Sequence, residues 1–237
     1  MSARSMSSDM GRGIVVIPAR NEAATIGQVV RGVLAQGCPA IVVNDDSQDA
    51  TSAEAHAAGA LVLDLPCRLG AWGATQAGLR LALRPALRTE RKGERRVIVT
   101  LDADGQHTPA DIQALMAPVA AGEADIAIGS CPERGSPARQ AAWRLFRAIS
   151  GLAVDDLTSG FRAYSQPAAC ALLGAQATLA DYQDLGVLLL ARRRSLRLLE
   201  VPVRMPPRAE GRSRIFSSWL KVARYMVYTL TIALTQR

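Results

Sequence analysis

Aromatic residues and histidine are scarce in this chain: Phe, Trp and Tyr make up 4% of 237 residues, and His56 and His107 are the two histidines. So few aromatics, with no recognisable motif interleaving them with basic side chains, offer no stacking platform for nucleic acid, which is not expected as a partner. Neither histidine is set up with an acid and a serine or cysteine for nucleophilic catalysis. Cys38, Cys67, Cys131 and Cys170 are scattered, with no C-x-x-C pair. They predict reduced thiols inside a cell and no structural zinc. No G-x-G-x-x-G follows the first apolar run, and G-x-x-x-x-G-K-[ST] is missing throughout. A dinucleotide dehydrogenase and a P-loop enzyme are therefore disfavoured. There is no internal repeat. The opening "MSARSMSSDMGRG" lacks the apolar stretch of an export signal, so residues 1–12 read as a disordered tail and the protein is expected in the cytoplasm.

What is present suits one globular domain. With 49% hydrophobic residues the chain can bury a full core. Net charge is +7, and the basic residues gather late: Arg192, Arg193, Arg194, Arg197, Arg204, Arg208, Arg212 and Arg214 face only Glu200 and Glu210 over that stretch. Such a tilt suits phosphates or an anionic membrane surface.

"GIVVIPA" at 13–19, "AIVVND" at 40–45, "ALVLDL" at 60–65, "VIVTLDAD" at 97–104 and "ADIAIGS" at 124–130 read as strands. Continuous apolar runs of this length fit strands buried on both faces. Helices are expected between them. The first runs from Glu22 or Ala23 to about Gln36, with Ile26, Val29, Val30, Val33 and Leu34 at helical spacing and Gly37 closing it. Others cover "TSAEAHAAG", Ala71 to Leu87, and 109–121 with Pro109 and Asp111 in the first turn. Strand and helix alternation predicts an α/β, Rossmann-like, mostly parallel sheet with helices on both faces.

Ligands of such sheets sit beyond the carboxyl ends of the strands, where strand order reverses. Polar residues collect there: Pro18, Asn21 and Glu22 after the first strand, Asn44, Asp45 and Asp46 after the second, Asp102 and Asp104 after the fourth. A turn explains one such carboxylate group but not three at one edge. An extended backbone would point Asp102 and Asp104 the same way, toward a hard cation such as Mg2+ or Mn2+ bridged to substrate phosphates. An EF-hand is ruled out, because His107 and Gln113 occupy its glycine and glutamate positions.

"VVIPARNEAATI", "VVNDDSQDAT", "TLDADGQHTPADI", "DLTSGFRAY" and "LEVPVRMPPRAEGRSR" resemble, in order, the motifs of family 2 glycosyltransferases with the GT-A fold. The resemblance is strongest to the dolichol-phosphate mannosyltransferase and polyprenyl-phosphate glycosyltransferase branch, and it covers 13–215, the expected catalytic domain. It implies that Pro18, Glu22, Val43 and Asp45 receive the base and ribose of a nucleotide sugar, with Asp102 and Ala103 beside the nucleotide. It also implies that Asp104 and Gln106 hold Mg2+ or Mn2+, that Arg208, Ser213 and Arg214 close over the diphosphate and the acceptor phosphate, and that Arg162 lies in the acceptor region. Asp104, Arg208 and Arg214 would then carry the catalysis and Ser213 would help hold the acceptor. Some positions depart from the pattern. Arg20 replaces a frequent aromatic, Asp46 a usual glycine, Arg214 a common lysine, and Cys131 an expected arginine near the donor phosphates. Asp184, on a predicted helix, marks where the family has a carboxylate near the sugar.

The resemblance implies an inverting transfer of a hexose, from a GDP-mannose or UDP-glucose type donor, to a dolichol or undecaprenyl phosphate. A soluble acceptor and a non-catalytic sugar-nucleotide-binding protein are the alternatives. A phosphate nucleophile is already anionic, so His107 reads as a supporting residue rather than a base. A lipid acceptor requires a membrane surface, and the chain is expected to be peripheral at the inner face of the cell membrane. "IFSSWLKVARYMVYTLTIALTQR" has an uncharged run, Tyr225 to Thr235, too short to span a bilayer. Residues 216–237 read instead as an amphipathic interfacial helix. In "RQAAWRLFRAISGLAV", Trp143, Phe146, Ile149 and Leu152 share one helical face, which either packs in a core or dimer contact or meets lipid.

Overall fold

The structure, a computed structural model, describes residues 13–84, 96–131, 159–174 and 185–205, together with 133, 143, 144, 147, 151, 152, 154–156 and 177. Seven strands form one sheet: β1 Gly13–Ala19, β2 Ala40–Asn44, β3 Leu61–Asp64, β4 Val97–Thr100, β5 Ile126–Ser130, β6 Arg162–Ser165 and β7 Leu198–Pro202. Their order is β3-β2-β1-β4-β6-β5-β7. All neighbouring pairs are parallel except those of β6, which runs antiparallel to both β4 and β5. The α/β fold expected from the sequence is therefore the one observed. Strand order reverses between β1 and β4, the place beyond the strand ends where ligands of such sheets sit.

The helices are α1 Ala23–Ala35, α2 Thr51–Ala57, α3 Gly70–Ala82, α4 Ile112–Ala121, α5 Gln166–Ala171 and α6 Leu185–Arg193. A short 3-10 turn, Pro109–Asp111, leads into α4. Alternate strand residues enter two separate cores. Ile14, Val16, Ile41, Val43, Ile98 and Tyr164 face α3, α5 and α6. Val15, Ile17, Val42, Val97, Val99 and Ala163 face α1 and α4. Burial on both faces is why the strands read as unbroken apolar runs rather than alternating ones.

Several expectations need correction. Ile26, Val29, Val30 and Val33 are buried as the helical spacing implies, but Leu34 is 38% exposed, on the outer edge of the stripe. Helix α3 ends at Ala82 rather than Leu87. β4 ends at Thr100, and Ala103 and Asp104 lie in a turn, so Asp102 and Asp104 are not aligned by an extended backbone. Gly105, at φ 74°, continues that turn in the left-handed region open to glycine. Trp143 and Leu152, two of the four residues on that expected face, belong to the core that contains α3. Phe146, Ile149, Asp184, the 216–237 segment and the 1–12 tail fall outside the described residues. Strands β6 and β7 were not anticipated.

Close packing of α3 on the sheet rests on one glycine. A Cβ on Gly78 would fall 2.3 Å from Val16 Cγ1 and 2.9 Å from Val43 Cγ2. Both neighbours are stiff β-branched residues with no exposed surface, so neither can move aside. At Gly13 the equivalent clash is with Met116 Cε, at 2.5 Å, the free end of a flexible side chain. In urea unfolding Gly78→Ala is expected to cost about 1–3 kcal/mol, the usual range for overpacking, and Gly13→Ala much less. Equal effects would contradict the packing described.

Candidate active site

The carboxyl ends of β1, β2 and β4 meet at the switch point and are stitched together by side chains. Pro18 pairs in register with Val43, and Ala19 with Asn44. The Asp45 N–H donates to the Ala19 carbonyl at 2.9 Å. Pro18, Glu22, Val43 and Asp45, the residues proposed for the base and ribose, thus share one corner. Val43 is fully buried between β1 and β3 and beneath α3, so it shapes the corner from below rather than presenting a surface of its own. Asp45, 3% exposed, accepts the Leu69 N–H at 2.6 Å and the Gly70 N–H at 3.0 Å. Its carboxylate therefore fixes the entry to α3 as well as the rim of the corner.

Loop 45–51 also caps α1 from a distance. The Glu22 N–H donates to Thr51 Oγ1 at 2.8 Å and the Ala23 N–H to Asp49 Oδ2 at 3.2 Å, satisfying donors that a helix start leaves unpaired. Asn21 accepts the Gln48 N–H at 2.8 Å and donates its own N–H to Ser47 Oγ at 3.0 Å. Asp46 sits at φ 56°, the conformation that costs glycine nothing and other residues about 1–2 kcal/mol. This is the physical reason for a glycine preference at that position.

The Asp-Ala-Asp turn joins this corner through Thr25, whose hydroxyl donates to the Ala103 carbonyl at 2.8 Å and stands 3.5 Å from Glu22 Oε2. Ala103 and Gln106 are buried, whereas the Asp102 side chain is 43% exposed. Asp104 Oδ1 accepts the Gln106 N–H at 3.1 Å. His107, 5% exposed, accepts the Asp102 N–H on Nδ1 at 3.1 Å and stacks on Phe161 with ring centroids 5.1 Å apart.

β6 brings the "SGFR" stretch, residues 159–162, to the same edge. Thr100 pairs with Arg162, and Thr100 Oγ1 donates to the Gly160 carbonyl at 2.8 Å. Asp102 lies against Gly160: a Cβ there would fall 2.7 Å from Asp102 Oδ1. Arg162 is 1% exposed, so its guanidinium is carried inside the sheet edge beside Thr100. The loop before β6 is held by Glu200 on β7, whose carboxylate accepts the Asp155 and Asp156 N–H groups, both at 2.9 Å. Cys131 donates its N–H to Asp156 at 3.5 Å.

Thus the structure gathers Pro18, Glu22, Val43, Asp45, Asp102, Ala103, Asp104, Gln106 and Arg162 along one edge. Arg208, Ser213 and Arg214 lie outside the described residues. Thr25, Gly160 and Glu200 support the site and were not singled out from the sequence. Thr25 was the most accessible of them, three residues after Glu22 at a helix start. Glu200 gave no local signal because its partners are 45 and 44 residues away.

A mostly parallel seven-stranded sheet with one antiparallel insertion and a carboxylate turn after β4 is the architecture of a GT-A glycosyltransferase. Glucosyl-3-phosphoglycerate synthase from Mycobacterium tuberculosis, in complex with phosphoglyceric acid, superposes with a TM-score of 0.70 at 21% identity, over 98% of this chain and 82% of that one. Its complex with Mn2+, UDP-glucose and phosphoglyceric acid gives 0.65 at 21% identity, over 97% and 81%. The sequence matches the model of glycosyl transferase family 2 over residues 14–173, and the chain belongs to that family. Polyprenol monophosphomannose synthase of Mycolicibacterium smegmatis is 34% identical over 167 residues, 65% of this chain and 61% of its own. An uncharacterized protein of Methanocaldococcus jannaschii is 32% identical over 205 residues, 80% and 79% of the two chains.

The base corner has a pH dependence of its own. Asn44 Nδ2 donates to Asp64 Oδ1 at 2.7 Å, and this bond, followed by one from Ser52, holds the Asp64 carboxyl below its usual value. A depressed carboxyl stabilises fully above its unfolded value of 3.8, and that contribution is lost as pH falls through the lower folded value. Urea midpoints of the wild type should therefore drop more between about pH 5 and pH 3 than those of Asp64→Asn. Parallel profiles would contradict this.

Proposed function

We propose that this glycosyltransferase moves a hexose, with inversion and with a divalent metal ion, from a GDP-mannose or UDP-glucose type donor to a polyprenyl phosphate at a membrane surface. The observation that carries the reading is the meeting of the Asp102–Gln106 turn with Gly160–Arg162 at one sheet edge. It brings the carboxylate turn read as the donor side beside the stretch read as the acceptor region. The relative named polyprenol monophosphomannose synthase supports the lipid acceptor.

The residues present fit a divalent ion. Asp104 and Gln106 would supply oxygen ligands, the donor type that Mg2+ and Mn2+ take at nucleotide sites. When bound, the ion neutralises charge that develops on the diphosphate leaving group.

The chain's own residues do the rest. Pro18, Glu22 and Asp45, with Val43 packed beneath them, orient the nucleoside, while Asp102 and Ala103 flank it. An acceptor phosphate oxygen attacks the anomeric carbon as the bond to the diphosphate breaks. One displacement inverts the configuration and releases a nucleoside diphosphate. No base is needed, since the phosphate is already an anion. His107 agrees with that, because its Nδ1 is committed to the Asp102 N–H. Arg208 and Arg214 grip phosphate oxygens from a segment that closes over them, with Ser213 against the acceptor.

The membrane surface would be met by the amphipathic 216–237 segment that follows the 13–215 catalytic unit. No helix among the described residues is long and apolar enough to cross a membrane. A soluble phosphorylated acceptor is the second reading, favoured by the phosphoglyceric acid bound in the solved relatives.

Radiolabelled GDP-mannose and UDP-glucose, offered with undecaprenyl phosphate and Mn2+ or Mg2+, test the reading. Metal-dependent label in the organic phase is expected, falling about 100-fold or more in Asp104→Ala, the scale of losing one strong electrostatic stabiliser. Label found only on a water-soluble phosphorylated acceptor would overturn the lipid acceptor.

A further inference from the structure

We propose that His107 is the positioning residue that sets the donor turn against the acceptor loop. The inference rests on the donor-site reading above and names a residue that reading does not use.

The geometry fixes what His107 does. Its Nδ1 accepts the Asp102 N–H at 3.1 Å. A nitrogen that accepts carries no proton, so Nδ1 is the accepting nitrogen and the other ring nitrogen, Nε2, is the donor end. Nε2 stands 3.8 Å from Asp102 Oδ2. That is too long for a hydrogen bond but leaves the N–H end of the ring nearest the carboxylate. One side chain thus holds Asp102 by its backbone and faces its carboxylate with a positive edge. Partners that fix the residues around a metal site typically weaken binding about 10–100-fold when removed, which sets the scale expected for His107.

The same ring reaches the other half of the site. It stacks on Phe161 at an interplanar angle of 22°, and Phe161 is fully buried next to Gly160 and Arg162. Gly160 in turn presses on Asp102, leaving no room for a Cβ. Asp102 is therefore gripped from two sides, by the imidazole and by the Gly160 backbone. Movement of either loop moves the carboxylate.

A ring that merely filled space could be replaced by another ring. Three variants separate the possibilities. His107→Phe keeps the stack and removes both nitrogens. His107→Asn offers an amide oxygen near the Nδ1 position and gives up the stack. Gly160→Ala leaves the histidine intact and displaces Asp102 from the opposite side. Mn2+-dependent binding of GDP and UDP is measured by calorimetry, with thermal melting to verify folding.

His107→Phe and Gly160→Ala should each weaken Mn2+-dependent nucleotide binding about 10–100-fold. His107→Asn, which keeps an accepting oxygen but loses the stack on Phe161, should fall between wild type and His107→Phe. Binding that is lost in Asp104→Ala but unchanged in His107→Phe overturns the inference and leaves the donor site standing. Binding unchanged in Asp104→Ala overturns the donor-site reading and the inference with it. Should His107→Phe fail to fold, unchanged binding by Gly160→Ala is the overturning result.

Discussion

The antiparallel insertion of β6 between β4 and β5 is the constraint on which the site depends. Every other strand of the sheet ends at the carboxyl edge, so the residues that follow it arrive there. A strand of opposite direction begins at that edge, so the residues before it arrive there too. The "SGFR" stretch consequently meets the Asp-Ala-Asp turn although the two are some sixty positions apart, and Thr100 Oγ1 to the Gly160 carbonyl is the bond that records it. The register Thr100 to Arg162 matters for the same reason. A slip of one residue would send the Arg162 guanidinium to the opposite face of the sheet.

Charge explains how the edge is kept in order. The chain carries a net charge of +7, yet three carboxylate groups converge where strand order reverses. Asp45 is neutralised by two backbone N–H groups of the loop entering α3, and Asp49 and Thr51 cap α1 across the chain. Asp102, with its side chain 43% exposed, remains turned toward solvent. Carboxylates satisfied by backbone N–H groups build the walls, and the half-exposed Asp102 faces the solvent beside them. Two separate cores support this edge from both faces of the sheet, so local changes there are resisted by packing as well as by hydrogen bonds.

Much of this was legible in the sequence. The first five strands followed from apolar runs, because burial on both faces removes alternation and leaves a plain signal. The carboxylate clusters followed from their place after those strands. Strands β6 and β7 were missed for a physical reason: "RAYS" includes a buried arginine and "LLEVP" includes Glu200, whose charge is used to anchor a distant loop. Local composition cannot register a partner 45 residues away. The Asp102–Asp104 pair was assigned an extended backbone because the preceding residues are strand-like, whereas Gly105 and the Asp104 bond to Gln106 N–H turn the chain at once. The helical face of Trp143 and Leu152 could not be assigned from periodicity, which reports an apolar stripe but not what covers it.

The central claim is that the Asp102–Gln106 turn and the Gly160–Arg162 stretch form one nucleotide-bearing site. Paramagnetic broadening of backbone amide signals by substoichiometric Mn2+, added with GDP or UDP, tests it most directly. The account predicts that signals of Asp102 to His107 and of Gly160 to Arg162 broaden together, only when nucleotide is present, and recover in Asp104→Ala. Broadening confined to another surface, or one stretch responding without the other, would contradict it.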